Sequence, residues 1–169
     1  MRDVLVATYG RVQIVEATQR DLTFVAASLR PEDHRELSCQ MPDDMPVEIG
    51  AVISAWSGEA WVAKLDGQPV AAFGAAPMSL PANVLSLWAW GTKRLARAAP
   101  AITRFVRDEM APKWVERGVT RVEARSIEGH HQAHRWLTGA GAFSIECLCW
   151  GKGGEAFRLF WWTKDSWRR

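Results

Sequence analysis

Only one of the 169 residues is a tyrosine, Tyr9, and only three are cysteines: Cys39, Cys147 and Cys149. An odd cysteine count argues against a disulfide framework. Cys147 and Cys149 lie two apart on an apparent strand and would share a face without bridging each other, so all three are expected to act as small apolar fillers. Apolar runs fall well short of the roughly 20 residues that span a bilayer, and Met1-Arg2-Asp3-Val4 has neither the charged nor the apolar region of a secretory leader. A cytoplasmic chain without a membrane partner is therefore expected. Charge of one sign is also scarce: 21 Lys and Arg face 19 Asp and Glu, and a net +2 makes nucleic acid an unexpected partner. Repeats, low-complexity stretches and interdomain linkers are lacking too. With 48% hydrophobic and 24% charged residues, 1–169 is read as a single globular domain.

Tryptophan is abundant, at ten residues. Trp88, Trp90, Trp136, Trp161 and Trp162 fall in periodic segments and are expected in the core. Trp167 sits with Lys164, Arg168 and Arg169 in a basic tail over 163–169, where an exposed aromatic beside arginine suits a partner contact.

Along the chain, an irregular start over 1–10 precedes a strand at Val12 to Glu16. Thr18 caps a helix bearing Leu22, Val25, Ala26 and Leu29. Arg30-Pro31 stops that helix, a short helical turn follows in Glu32 to Gln40, and Asp43 or Asp44 caps another helix with Ile49, Val52, Ile53 and Trp56 as its apolar stripe. Ala60 to Leu65 and Gln68 to Ala76 flank Asp66-Gly67, the turn chemistry of a tight hairpin. Gly74 suggests a bulge, Pro77 to Pro81 a loop, and Val84 to Trp90 a central strand. A basic connector from Gly91 to Ala99 leads into a helix from about Pro100 to Glu116, with a kink expected at Pro112. A strand at Thr120 to Arg125, a helix at Gly129 to Ala140, and strands at Phe143 to Trp150 and Glu155 to Trp162 complete an α/β (α+β) pattern.

Three passages carry a family resemblance: Asp21-Leu22 with Arg30-Pro31-Glu32-Asp33, the hairpin from Glu59 to Phe73, and the last helix with Ala133, Trp136-Leu137 and Gly141. With the element order, they resemble the GCN5-related N-acetyltransferases, and among these the acetyltransferase-like proteins of short-tailed phages, some of which are internal virion or assembly proteins. The resemblance implies a mixed central sheet of six to seven strands flanked by about four helices. It also implies acetyl-CoA as cofactor, lying in a gap beside Trp88, Ala89 and Trp90.

In that family the cofactor's pyrophosphate rests on backbone N–H groups of a Gly-rich loop that opens a helix, where free amides and the helix dipole favour an anion. Here the loop reads Gly91-Thr92-Lys93-Arg94-Leu95-Ala96-Arg97 and keeps one glycine. Lys93, Arg94 and Arg97 could replace the lost amides with side-chain charge; the plainer alternative is a solvated basic loop. The family's proton-donating Tyr aligns with Leu137, which has no proton to give. Glu59 is a candidate base by location, and His130 and His134, one helical turn apart, are candidate acids or bases, with plain exposed helix residues as the alternative. His130-His131 and His134 invite a metal reading, since His at i and i+4 can share a zinc, but the metalloprotease Glu is absent and no third ligand is evident, so no metal is expected. Ser126 and Ser144 have no His and acid at a nucleophile's spacing.

Two functions follow. One is acyl transfer to an amine on a small molecule or protein, which needs an open cleft beside Trp88 to Arg94. The other is a non-catalytic phage protein, in the host cytoplasm or the virion, that keeps the fold to contact virion proteins.

Overall fold

A computed structural model describes residues 3–79, 81 and 83–166; Trp167, Arg168 and Arg169 of the tail lie outside them. The fold grows outward from the Asp66-Gly67 turn. Both residues take positive φ, 54° and 78°, as a two-residue hairpin turn requires, and they join β3 (Glu59–Leu65) to β4 (Gln68–Ser79). Thr18 Oγ1 accepts the Asp21 N–H at 3.1 Å and so caps α1 (Gln19–Ala26), as its sequence implies.

Among the described residues the sheet has eight strands in the order β1-β2-β3-β4-β5-β6-β8-β7. The others are β1 (Leu5–Tyr9), β2 (Val12–Glu16), β5 (Val84–Gly91), β6 (Arg121–Ile127), β7 (Phe143–Cys147) and β8 (Phe157–Thr163). All pair antiparallel except β5 with β6. On one face lie α1, α2 (Pro31–Ser38) and α3 (Val47–Ala55). On the other, α4 (Leu95–Phe105) runs through a π turn at Val106–Met110 into α5 (Ala111–Glu116), beside α6 (His131–Gly139). The α4 face holds the larger core, with Trp61, Phe73 and Phe105 in mutual ring contact and Trp114 fully buried. The α1–α3 face buries Val15, Leu22, Val25, Ala51, Ala55 and Trp90.

Several expectations are corrected. Within the expected irregular start, Leu5–Tyr9 is a strand: Gly10, at φ 59°, turns it back onto β2 as an edge strand. On α3 the buried positions are Gly50, Ala51, Val52 and Ala55, while Ile49, Ile53 and Trp56 of the expected stripe are exposed. The inward face is mostly small, and Gly50 lies close against Met41 and Met45, where an added Cβ would fall 2.5 Å from the Met41 sulfur. Neither Asp43 nor Asp44 caps it; Pro46 stands at the N-cap without a side-chain bond, and Asp43 pairs with Lys152 instead. Gly74 stays in register, and the β3–β4 irregularity falls at Ala63 and Lys64. Gly74 is small because a Cβ there would strike the Glu59 carbonyl oxygen and the Trp88 ring. Pairing of β4 continues to Ser79, through part of the expected loop.

The long helix begins at Leu95, so half the expected connector is helical and Pro100 lies inside it. The disturbance expected at Pro112 comes earlier, in the π turn that widens the ladder before a residue with no N–H to give. Strand β7 ends at Cys147; Cys149 has φ 53° and is exposed, so of the three cysteines Cys39 alone is buried. Trp90 and Trp162 are buried as expected, whereas Trp88, Trp136 and Trp161 are half-buried.

Candidate active site

Backbone pairing between β5 and β6 runs from Val84↔Arg121 to Leu87↔Ala124 and stops, although β5 continues to Gly91 and β6 to Ile127. Beyond that point β5 stays with β4 as far as Gly91↔Ala71, and β6 stays with β8 as far as Ile127↔Phe157. The two halves of the sheet therefore part, leaving a gap. A cleft of about 1100 Å³ passes through it, bordered by Leu87, Trp88, Ala89 and Trp90. Leu37, Met41, Ser54 and Ser57 line it on the α2–α3 side, and Ile102, Thr103, Val106, Trp136 and Leu137 on the α4–α6 side. Trp88 and Trp90 stack at 5.8 Å, and Trp90 turns into the α1–α3 core, so the indoles wall the cleft without filling it.

At the ends of the two strands, buried charge closes the gap. Arg30, Asp33 and His130 are each less than a tenth exposed. Asp33 Oδ2 accepts the Gly91 N–H at 2.8 Å and pairs with Arg30 Nε at 2.8 Å; Asp33 Oδ1 lies 3.1 Å from His130 Nε2. Arg30 also donates to Gln132 Oε1 at 2.7 Å, and its backbone N–H donates to the Gly91 carbonyl at 2.9 Å. One turn along α2, Glu36 Oε2 accepts the Ile127 N–H at 2.9 Å and the Ser126 hydroxyl at 2.8 Å. Two carboxylates of one short helix thus take up N–H groups from the two separated strands, four residues past their last common pair on β5 and three on β6. Glu36 also lines the cleft, and burial pushes its carboxyl above the ordinary glutamate range against the pull of those two hydrogen bonds.

The expected site residues divide. Trp88, Ala89 and Trp90 border the cleft, and Leu137 lines it. Gly91 does not offer a free amide, because Asp33 takes its N–H; Thr92 N–H goes to the Val70 carbonyl and Arg94 N–H to Thr92 Oγ1. Arg94 turns to the β3–β4 hairpin, 3.7 Å from Asp66 and 3.4 Å from Gln68. Lys93 and Arg97 are exposed and form no ion pair among the described residues. Glu59 lies outside the cleft, bonded to Trp114 Nε1 at 2.9 Å and to Arg117. His130 is locked in the buried network. His134 donates to the Ile127 carbonyl at 3.1 Å and packs on Phe160, and burial pushes its pKa below the ordinary value, leaving a neutral ring at pH 7. Neither histidine borders the cleft.

Sequence reading missed Glu36, although its neighbours Arg30 to Asp33 were already conspicuous. A carboxylate on a short polar helix gives no local signal that it reaches a strand 90 residues away.

A groove of about 240 Å³ between α4 and α6, lined by Arg30, Ala96, Ala99, Pro100, Gln132 and Trp136, opens beside the start of α4. Trp136 and Thr103 line both groove and cleft, and Trp136 Nε1 donates to Thr103 Oγ1 at 2.7 Å between the two helices.

No family model and no curated protein matches the sequence. Solved structures do. One, classed provisionally as an acetyltransferase, superposes with a TM-score of 0.74 at 13% identity, over 96% of this chain and 88% of that one. A GCN5-related N-acetyltransferase from Brucella melitensis gives 0.67 at 13% identity, over 99% and 81%. AAC(6')-Ib, in complex with ribostamycin and coenzyme A, gives 0.65 at 16% identity, over 94% and 96%. At such identities the likeness concerns the fold: the chain has the mixed α/β fold of the GCN5-related N-acetyltransferases, with an eight-stranded sheet that opens between β5 and β6.

Proposed function

We propose that the protein transfers an acyl group from acetyl-CoA to a primary amine, with Glu36 as the base. The observation that carries this reading is a cleft running through the parted sheet with a carboxylate of raised pKa on its wall. A general base works best when its pKa approaches the working pH, and burial moves Glu36 that way. Its open cleft is also what sequence reasoning required of an enzyme.

The cofactor fits this chain in part by a different route from the family's. Its narrow arm suits the apolar cleft between Leu87 to Trp90 and Trp136 to Leu137. Its phosphates cannot rest on the amides of Gly91, Thr92 and Arg94, which are already bonded within the chain. Lys93 and Arg97 remain to meet them by side-chain charge. When bound, acetyl-CoA supplies an activated thioester. The chain's own part is to hold the amine against the cleft wall, exclude water with Leu137, Trp136 and Trp88, and accept the amine's proton on Glu36. Positioning of this kind can supply about 7 to 11 kcal/mol of a barrier, so the leucine at position 137 is compatible with turnover.

The test is calorimetric titration with acetyl-CoA and with free CoA, then a thiol-release assay over a panel of amines. Saturable binding and amine-dependent release support transfer. No heat and no thermal stabilisation at millimolar ligand would defeat it.

A second reading, that of a phage virion or assembly protein that keeps the fold without catalysis, is favoured by one observation: Asp33 puts a negative charge on the Gly91 amide, where a pyrophosphate would sit. Failure of the titration would favour it.

A further inference from the structure

We propose that the molecule bound on the α2–α3 side of the cleft carries a carboxylate, and that Arg125 holds it. Called an acceptor, this molecule rests on the transfer reading; called a ligand, it does not. Arg125 follows the last paired residue of β6 and lines the cleft. Its guanidinium lies over the Trp150 ring, 4.3 Å from the centroid, with only 14% of the side chain exposed. A guanidinium has five N–H donors. Here one forms a normal bond, Nη2 to Glu123 Oε2 at 3.0 Å. Nη1 and Nη2 also reach the Met78 sulfur at 3.7 and 3.8 Å, a weak acceptor, and Nε has no hydrogen-bond partner among the described residues.

Glu123 does not neutralise Arg125 fully, since Arg121 shares its carboxylate at 2.7 Å. Two guanidiniums and one carboxylate leave one positive charge, and Arg125 faces the cleft with it. Unmet donors on a nearly buried cation are costly, and a carboxylate is the group whose geometry matches the fork. Other charged groups lining the cleft are Glu36, Arg107, paired with Asp108, and Asp165, beyond the end of β8 that pairs with Arg121.

Glu36 stands beside Arg125 along β6, because it is anchored on Ser126 and Ile127, the next two residues. Both groups line the same cleft, so one small molecule can offer an amine to Glu36 and a carboxylate to Arg125. Trp88, Trp150, Leu37 and Met41 add aromatic and apolar wall. The class that fits is an amino acid or short peptide end with an apolar side chain. Polyamines and other polycations do not fit, because Arg125 would repel them.

The test compares phenylalanine with phenethylamine, and leucine with isopentylamine, in acetyl-CoA thiol release by the full chain. The acid should exceed its decarboxylated partner in kcat/KM by about tenfold or more, the worth of one charge-assisted hydrogen bond. Arg125→Gln should bring the ratio close to one, and Arg125→Lys should keep part of the preference. An amine equal to or better than its acid in the unaltered protein overturns the inference, as does a ratio unmoved in a folded Arg125→Gln. If no amine releases thiol, N-acetylphenylalanine and N-acetylphenethylamine are titrated instead. Binding of the acid alone, lost in Arg125→Gln, keeps the carboxylate site and sinks only the transfer reading; binding of neither sinks the site as well.

Discussion

His130 Nε2 lies 3.1 Å from Asp33 Oδ1, 97 positions away in the chain, and Arg30 Nη2 lies 3.3 Å from the same ring nitrogen. One nitrogen serves one partner at a time: carrying a proton it donates to Asp33, and without one it accepts from Arg30. The contact fastens the start of α6 to the start of α2 across the parted strands, and with Gly91 it closes the end of the gap.

Removing the carboxylate from this network should therefore cost stability. Asp33→Ala leaves the Arg30 guanidinium buried without its counter-charge and the Gly91 amide without an acceptor, a loss of about 3 to 5 kcal/mol. Urea unfolding measures it, and a change below about 0.5 kcal/mol would show that the network is not holding the gap.

Glu36 should show opposite trends in activity and stability. Its folded pKa is raised, first by burial, so the folded state binds the proton more firmly than the unfolded one. The associated stability is present below the ordinary glutamate pKa and lost as pH rises through the raised value. Transfer should increase over that same window as the base loses its proton. Glu36→Gln should flatten both profiles and lower kcat about a hundredfold or more. Retention of ordinary turnover in Glu36→Gln removes the base from the mechanism.

The basic residues at the start of α4 should not contribute equally. Lys93→Ala with Arg97→Ala should weaken acetyl-CoA binding several-fold, whereas Arg94→Ala should change Kd less than about twofold, because Arg94 is turned to Asp66 and Gln68. Calorimetry decides it, and a double variant that binds as tightly as the original chain refutes the phosphate role.

Gly74→Ala tests the floor of the cleft. The added methyl would fall 2.5 Å from Trp88 Cζ2 and also collide with the Glu59 carbonyl, so β4 or the indole has to move. A cost of about 1 to 3 kcal/mol is expected. Indole fluorescence should report the displaced ring; unchanged stability would mean that the strands yield freely.

Local chemistry made much of this legible in advance. Asp66-Gly67 announced its hairpin because both residues tolerate positive φ, Thr18 announced its cap through a hydroxyl at the right spacing, and Val84 to Trp90 announced a central strand. Ile49, Ile53 and Trp56 misled because hydrophobic spacing marks a face without saying which neighbour it meets; the small residues of α3 fit the close approach better. Glu59, His130 and His134 were chosen for residue type and neighbourhood in sequence, and packing gave them Arg117, Asp33 and the Ile127 carbonyl as partners.

By itself, the sequence determined most of the strands, the Asp66-Gly67 turn and the α/β order, since φ preferences, caps and apolar periodicity act over a few residues; it did not show the edge strand Leu5–Tyr9. It also determined that the helix-opening loop has one glycine and three basic side chains, and that leucine stands at 137. Only the tertiary structure decided where β5 and β6 part, that Asp33 and Glu36 take up the freed amides, and that Arg125 faces the cleft over Trp150. Those outcomes depend on groups that the chain brings together from up to about a hundred residues apart, and a buried charge takes its partner from the space around it and not from its neighbours in sequence.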